Sequence, residues 1–465
     1  MSIIIPANSA VGGGYDVDNS LRFNKPSSDS LSKSFSSPDS RDTFTVSAWL
    51  KMTGGGGVNQ TPIVSFDGSN QYMAIRFQPT TSKFDVISYQ GGTTARLISN
   101  ALYRDYSAWY HIVAAIDSTQ GTSSNRMKLY VNGEQITSFA TASYPSQNTD
   151  MISSSMSSVR VGAGVDQTAA TSYYDGYMAE VCYIDGQQLD PTSFGEFDED
   201  SGIWKPIDVS ELTFGTNGFY LPFENSGALG QDDSGNGNNF TVNNLTAIDQ
   251  TTDTPTNNFA TLNSLVKTAS QPTFSEGNLK IAITGNWNSG AFSSIGLSSG
   301  KWYWEAKAIT ANDANIQIGV CTENINFNAS VLYNETGTLL YETVGGRYLD
   351  GTYTASVFGS SYVNNSIIGV ALDLDSGTKT VTFTKDGSTM TGGTQNLSSN
   401  FNNAVIFPMF IGSNSSATGG WELNFGNAPY AISSGNQDGN GYGNFEYAVP
   451  SGYYALNTKN LAEYG

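Results

Sequence analysis

The chain's 465 residues exceed one ordinary domain and suit two large β-sandwiches. With 21 Lys and Arg against 41 Asp and Glu, the formal charge of −20 and the lack of a basic cluster exclude recognition of a nucleic-acid backbone. The 24 Phe, 25 Tyr and 7 Trp exclude a disordered chain, and no run approaches the ~20 apolar residues of a membrane-spanning helix, so no membrane insertion is expected.

The first 19 residues, "MSIIIPANSAVGGGYDVDN", carry an apolar run of three and no basic n-region. They read as a tether or anchor and not as a secretory signal, and "SIIIP" suits docking as an added strand on a neighbouring subunit. Period-two alternation then dominates. "FTVSAWLKM" places Phe44, Val46, Ala48 and Leu50 on one face. "WYHIVAAID" runs to Asp117, and "NRMKLYVNG" sets Met127, Leu129 and Val131 on one face before closing on Asn132-Gly133. One helical turn is expected, "LDPTSFGE", with Asp190 as N-cap and Pro191 at the first position. The Thr/Asn-rich "QTTDTPTNNFATLNS" marks a domain boundary. Beyond it, "SIIGVALDLD" and "TKTVTFTKDG" repeat the earlier order of strand, acidic end, turn, strand and Asp-Gly. "SSGNQDGNGYGN", Ser433 to Asn444, reads as an irregular loop before a C-terminal strand, "FEYAVPSGYYALN". Cys182 and Cys321 lie in strand-like segments of different halves and are expected as buried free thiols of a chain folded in a reducing cytosol. The predicted fold class is all-β, two antiparallel β-sandwich (jelly-roll) domains in tandem. The expected limits are a tether at 1–19, sandwiches at 20–249 and 273–432 with a linker at 250–272 between them, and a C-terminal loop and closing strand at 433–465.

Five pieces of the first half resemble, in order, the laminin G-like domains of the concanavalin A-like lectin/glucanase superfamily. They are "SLRFN" (20–24), "FTVSAWLK" (44–51), "WYHIVAAID" (109–117), "KLYVNGEQI" (128–136) and "YYDGYMAEVCYIDGQQL" (173–189). In the second half, "SSGKWYWEAKA" (298–308), "IQIGV" (316–320), "IIGVALDLDSGTKTVTFTKDG" (367–387) and "WELNFGNAP" (421–429) resemble a SPRY domain. "YLPFENSGALGQDDSGNGNNFTV" (220–242) resembles the segment that usually opens a laminin G-like domain, yet it follows the rest, which implies a circularly shifted sandwich. With "YPSQN" (144–148), "SFGEFDEDSGIWKPID" (193–208) and "NGFYLPFENS" (217–226), the tandem is similar to surface proteins of tailed phages of aquatic bacteria. That similarity implies a non-enzymatic component of the exposed virion surface, in a fibre or capsid decoration, assembled in the host cytoplasm as a homo-oligomer. Its implied partners are other virion proteins and a host cell-surface glycan. The alternatives are a purely architectural capsid or tail protein and a polysaccharide-degrading enzyme.

Glucanases of that superfamily carry Glu-x-Asp-x-x-Glu on one strand. "EFDEDS" offers Glu196 and Asp198 but sets Ser201 in place of the acid, so a solvated acidic loop is expected and no residue is assigned to catalysis. "DDSGNGNN" presents Asp232, Asp233, Asn236 and Asn238 as candidate oxygen ligands for Ca²⁺, or as a hairpin loop capping its own backbone. His111, the single histidine, sits in a strand and reads as structural, which removes the usual triads and zinc sites. Sugar rings stack on exposed aromatic faces, and in "TSYYDGY" the candidate contacts are Tyr173, Tyr174 and Asp175. In SPRY domains the ligand usually sits on loops at one end of the sandwich; by that analogy Tyr348, Asp350 and Tyr353 are contact candidates. Asp373 and Asp375 read as the exit of a hairpin strand and not as a carboxylate dyad.

Overall fold

Alternating apolar residues leave each predicted strand one face to bury, and in the computed structural model they bury it between two sheets. The structure describes residues 14–35, 40–54, 61–68, 71–152, 158–165, 171–266, 268–284, 288–309, 311, 316–412 and 418–465. "SIIIP" lies outside the described residues. The chain divides into two compact units between Asn257 and Asn258.

Among the described residues, the first unit holds two antiparallel sheets of eight strands each. One runs in the order Glu134–Gln135, Met127–Val131, Trp109–Asp117, Thr43–Met52, Gly176–Asp185, Ser20–Phe23 and Gln250–Thr251, with Phe219–Leu221 also paired to Gly176–Asp185. The other runs Phe139–Ser143, Thr93–Ser99, Lys83–Gln90, Gln71–Gln78, Thr61–Gly68, Ser158–Val161, Ser30–Lys33 and Thr241–Asn243. Phe44, Val46, Ala48, Leu50, Met127, Leu129 and Val131 all enter the core between them, on the faces that alternation assigns. Asn132 and Gly133 have φ of 49° and 80°, the left-handed pair that a type I′ hairpin turn demands. Phe219–Leu221 joins the first sheet and Thr241–Asn243 the second, so segment 220–242 completes the sandwich from its far end in sequence.

The first sheet is buried on its outer face as well. Trp49, Trp109, Tyr177 and Ala179 pack there with Val17 and Trp204, while Val113, Ala115, Cys182 and Ile184 pack with Phe194, Val209, Phe214 and Tyr220. Strand Gly176–Asp185 is therefore buried along its whole length. The expected helical turn is a single 3-10 turn, Pro191–Ser193, within this cover; Asp190 accepts from the Tyr130 hydroxyl (3.2 Å) and makes no cap. The expected tether ends early, since Tyr15 and Val17 already lie against the sheet.

Residues 250–272 form no linker. Gln250–Thr251 pairs with Ser20–Leu21 and Asp253 is buried against Lys51, whereas Phe259, Ala260 and Leu262 are buried in the second unit. Polar composition misleads here because the Thr and Asn groups find partners: the Thr256 hydroxyl accepts from the Val17 amide, and the Thr458 hydroxyl from that of Asn258.

The second unit pairs an eight-stranded sheet with one of six among the described residues. The larger runs Thr273–Ser275, Lys280–Thr284, Thr418–Asn424, Lys301–Ile309, Ile367–Asp373, Thr380–Lys385 and Ser388–Asn396, with Tyr454–Ala455 parallel to Lys301–Ile309. The smaller runs Gly290–Phe292, Ile406–Ile411, Gln317–Thr322, Thr338–Glu342, Arg347–Leu349 and Thr352–Thr354. Trp302, Trp304 and Trp421 anchor the core. Of the expected C-terminal strand only Tyr454–Ala455 forms, and an unexpected helix, Thr458–Tyr464, follows with the Asn457 side chain as its cap. The remainder is held down by buried Glu305, whose carboxylate accepts from the amides of Glu446 (2.9 Å) and Tyr447 (2.8 Å) and from the Tyr303 hydroxyl (3.0 Å). Cys182 and Cys321 are both buried free thiols.

Candidate functional site: a serine-lined groove

Alternation in Ser158–Val161 buries Val159 and Val161 and turns Ser158 and Arg160 outward. Arg160 sits opposite Ser32 on the next strand, and Asn243 of the edge strand sits opposite Ser30. The hairpin of Ala163–Val165 and Thr171–Tyr173 closes one side, with Ala163 facing Tyr173 across the pair. Together these side chains line a groove of ≈ 580 Å³.

The groups in it are hydroxyls, amides, one phenol ring and one guanidinium. Asn243 donates Nδ2 to the Ser32 hydroxyl (3.1 Å) and the Ser30 carbonyl (3.3 Å). Asn244, left-handed at φ 64°, donates Nδ2 to the carbonyls of Ser27 (2.9 Å) and Ser28 (3.2 Å). Both amide nitrogens are thus committed to the protein, and no donor to either Oδ1 occurs among the described residues. Arg160 gives Nε to the Ser158 hydroxyl at 3.2 Å and lies 3.6 Å from Asp67 Oδ2. A ring to stack on, two amide acceptors and a ring of hydroxyls suit a polyhydroxylated ligand. Among the described residues that line the groove there is no carboxylate.

Of the predicted residues, Tyr173 is in the groove. Tyr174 is not: alternation turns it inward, where its hydroxyl lies 3.3 Å from both the Lys51 and Tyr177 carbonyls and its ring meets Phe23 edge-on at 6.1 Å. Burial raises its pKa well above the usual phenol value, and no ligand can stack on it. Asp175 lies outside the groove lining, and its carbonyl accepts from the Thr53 hydroxyl. The sequence reading missed Arg160, Ser30, Ser32, Asn243 and Asn244. The available signal was the outward register of Ser30-x-Ser32 and Ser158-x-Arg160.

In the second unit, Tyr348 and Tyr353 are cross-strand partners with ring centroids 4.9 Å apart, and Tyr333 lies 4.5 Å from Tyr348. Tyr353 is 44% exposed, and its ring occupies the space a side chain at Gly346 would need. Asp350 plays a different part from the one expected. It is left-handed in the hairpin turn (φ 49°), and its Oδ1 accepts from the Gly337 amide at 2.7 Å, so it shapes the turn.

The calcium candidates form a self-capped loop. Asp232 Oδ1 accepts from the amides of Tyr220 and Ser234, and Oδ2 from the Asn238 amide (2.6 Å) and the Ser234 hydroxyl (2.9 Å). Asn236 and Asn238 donate their side-chain nitrogens to carbonyls of Gly215, Thr216 and Gly218, and Asp233 accepts from Gln231. Calcium would have to displace these donors. Stripping the protein with EDTA and then adding excess calcium is expected to leave its melting temperature unchanged; a calcium-dependent rise would show that the loop reorganises around the ion.

The other carboxylates singled out in the sequence, and the histidine, are engaged by their neighbours. Glu196 is exposed and pairs with Lys205 (3.3 Å), while Asp198 is capped by Ser201, whose amide and hydroxyl donors hold its pKa below the usual range. Ser201, standing where an acid would be needed, thus binds its neighbour. Burial pushes Asp373 up, but Lys301 (2.9 Å) and donors from Ser376 and Asp375 overcome it and bring its pKa down to about 2. Asp375 accepts from the Gly300 amide, so the two aspartates lock the hairpin exit. His111 is buried, stacked on Trp49 with centroids 4.8 Å apart, and its Nδ1 accepts from Trp204 Nε1 at 3.0 Å. Nε2 therefore carries the proton and donates to Ser47 Oγ at 2.8 Å; burial lowers the pKa to about 3.

Residues 26–187 match the concanavalin A-like lectin/glucanases superfamily, and residues 301–427 match the SPRY domain. No curated protein matches the chain. Among solved structures, the chain is similar to mouse laminin alpha1 chain domains LG4-5, at 12% identity over 89% of this chain and 91% of that one with a TM-score of 0.31. It is also similar to the SPRY domain of human HERC1, at 18% identity over 35% of this chain and 96% of that one with a TM-score of 0.26. A heptameric SAP-like pentraxin from Limulus polyphemus matches at 15% identity over 38% of this chain and 80% of that one, with a TM-score of 0.27. Among the described residues no helix is long and apolar enough to cross a membrane. The chain carries a laminin G-like domain of the concanavalin A-like superfamily over 26–187 followed by a SPRY domain over 301–427, modules of the binding or adhesion kind.

Proposed function

We propose that the protein is a non-enzymatic surface component of a tailed-phage virion, assembled as a homo-oligomer with other virion proteins, and that it binds a host surface glycan in the groove of its first domain. One observation carries the glycan reading: the Tyr173 ring, the amides of Asn243 and Asn244 and the hydroxyls of Ser30 and Ser32 converge on a single groove. Sugars need an apolar face and a fence of directional hydrogen bonds, and few other ligands need both. The virion placement rests on the sequence resemblance of segments 144–148, 193–208 and 217–226.

Binding of the purified protein to host surface polysaccharide tests the reading. Tyr173→Ala is expected to weaken that binding about tenfold or more, as truncation of a central tyrosine does, with an unchanged melting temperature. Wild-type protein that binds no host polysaccharide would leave the architectural reading in its place.

A further inference from the structure

We infer that the sugar taken by the groove is acidic, its carboxylate or sulfate seated against Arg160; this rests on the glycan reading above. Arg160 is the one charged side chain among the described lining residues, in a chain where acids outnumber cations 41 to 21. Several cations of the first unit are consumed in buried pairs, Lys51 with Asp253 and Arg76 with Asp85 among them. Arg160 instead stands on an outward strand position with its side chain 29% exposed.

Its surroundings orient it without using it up. Asp67, 6% exposed, approaches the guanidinium from Nε at 3.6 Å, and the Ser158 hydroxyl also bonds Nε. Asp67 is itself fixed by the Ser65 hydroxyl at 2.5 Å. The two terminal nitrogens of Arg160 make no hydrogen bond among the described residues. That pair is the planar fork that matches a carboxylate or sulfate with two parallel bonds. A chain of net charge −20 repels polyanions in general, so an acidic glycan gains only where its anion is seated. The amide oxygens of Asn243 and Asn244 and the Tyr173 ring would then hold the neutral remainder of the sugar.

The test is an array of matched glycans, each carboxylated or sulfated member beside its carboxyl-reduced or desulfated counterpart. The full-length protein is expected to bind at least one acidic member about tenfold or more tighter than its neutral partner. The carboxylate and sulfate arms identify which anion is used. Arg160→Gln should abolish the preference, so that the acidic and neutral members bind that variant alike. Arg160→Lys, which keeps the charge and loses the fork, should retain only part of the preference. Equal binding of acidic and neutral partners, or a preference that survives Arg160→Gln, overturns the inference and leaves the glycan reading standing. Binding of double-stranded DNA also overturns it, because that would be general polyanion attraction. If no glycan of either kind binds, the glycan reading itself falls.

Discussion

Asp253→Asn is expected to destabilise the first sandwich by about 3–5 kcal/mol, the cost of leaving a buried charge without its partner. Asp253 and Lys51 are 0% and 1% exposed, and their charged atoms lie 2.6 Å apart. The second carboxylate oxygen accepts from Trp109 Nε1 at 3.0 Å, and the Asp253 carbonyl accepts from the Ser20 hydroxyl at 2.6 Å. Burial pulls the Lys51 pKa down and Asp253 pulls it back up. Asparagine keeps the shape and removes the compensation, so the ammonium must deprotonate or the segment must open. Denaturant unfolding of the full chain measures the loss. The double change Lys51→Met with Asp253→Leu should recover most of it, since two apolar groups bury without a desolvation penalty. A loss below about 1 kcal/mol for the single change would mean that solvent reaches the pair, as at a surface bridge.

That pair also shows where sequence reading stopped. Alternation in "FTVSAWLKM" identified the core face of the strand correctly, but it gave no role to Trp49 and Lys51 on the other face. Both are buried, because Val17, Trp204 and Asp253 come from distant parts of the chain to cover them. A period-two pattern reports one buried face; a second cover is a tertiary fact and leaves no local mark. The helix Thr458–Tyr464 escaped for a related reason. Seven residues are too few for a periodic signal, and the helix is held by its Asn457 cap and by Tyr464 stacked on Tyr454 at 3.7 Å. Tyr173 and Tyr174 look equivalent in the sequence, yet Tyr173 lines the groove and Tyr174 is core. Arg160 stood alone in "SVRV", and its groove neighbours Ser30 and Asn243 lie more than 80 residues away on either side in sequence. Only the sheet register brings them together.

The first unit is also expected to show a stability plateau between about pH 4.5 and 6.5, maintained by two opposed groups. Glu180 sits left-handed (φ 50°) at the bulge where its strand slips register, and its carboxyl accepts from the hydroxyls of Tyr220 (2.7 Å) and Tyr15 (3.2 Å). Burial raises its pKa from 4.5 to about 7, against the lowering effect of the two tyrosines, and Glu224 and Asp208 add to the rise. A raised carboxyl contributes stability that is complete below pH 4.5 and lost as pH climbs through 7, about 3 kcal/mol in all. His111 has the opposite sign. Its pKa falls from 6.5 to about 3, so its contribution is complete above pH 6.5 and drains away toward pH 3, about 5 kcal/mol in all. Where the windows overlap, each state holds one proton, the folded state on Glu180 and the unfolded state on His111, and the slopes cancel. Glu180→Gln should therefore make stability rise across that interval at about 1.4 kcal/mol per pH unit. His111→Gln should make it fall at the same rate. Urea midpoints measured across pH 4.5–7 for the three proteins decide the matter by slope, independently of how much each substitution costs in absolute stability. Parallel profiles for wild type and Glu180→Gln would mean that the carboxyl is solvated and that Tyr15 does not seal it. Opposite tilts would establish that the chain's only histidine and the buried Glu180 together hold this sandwich level against pH.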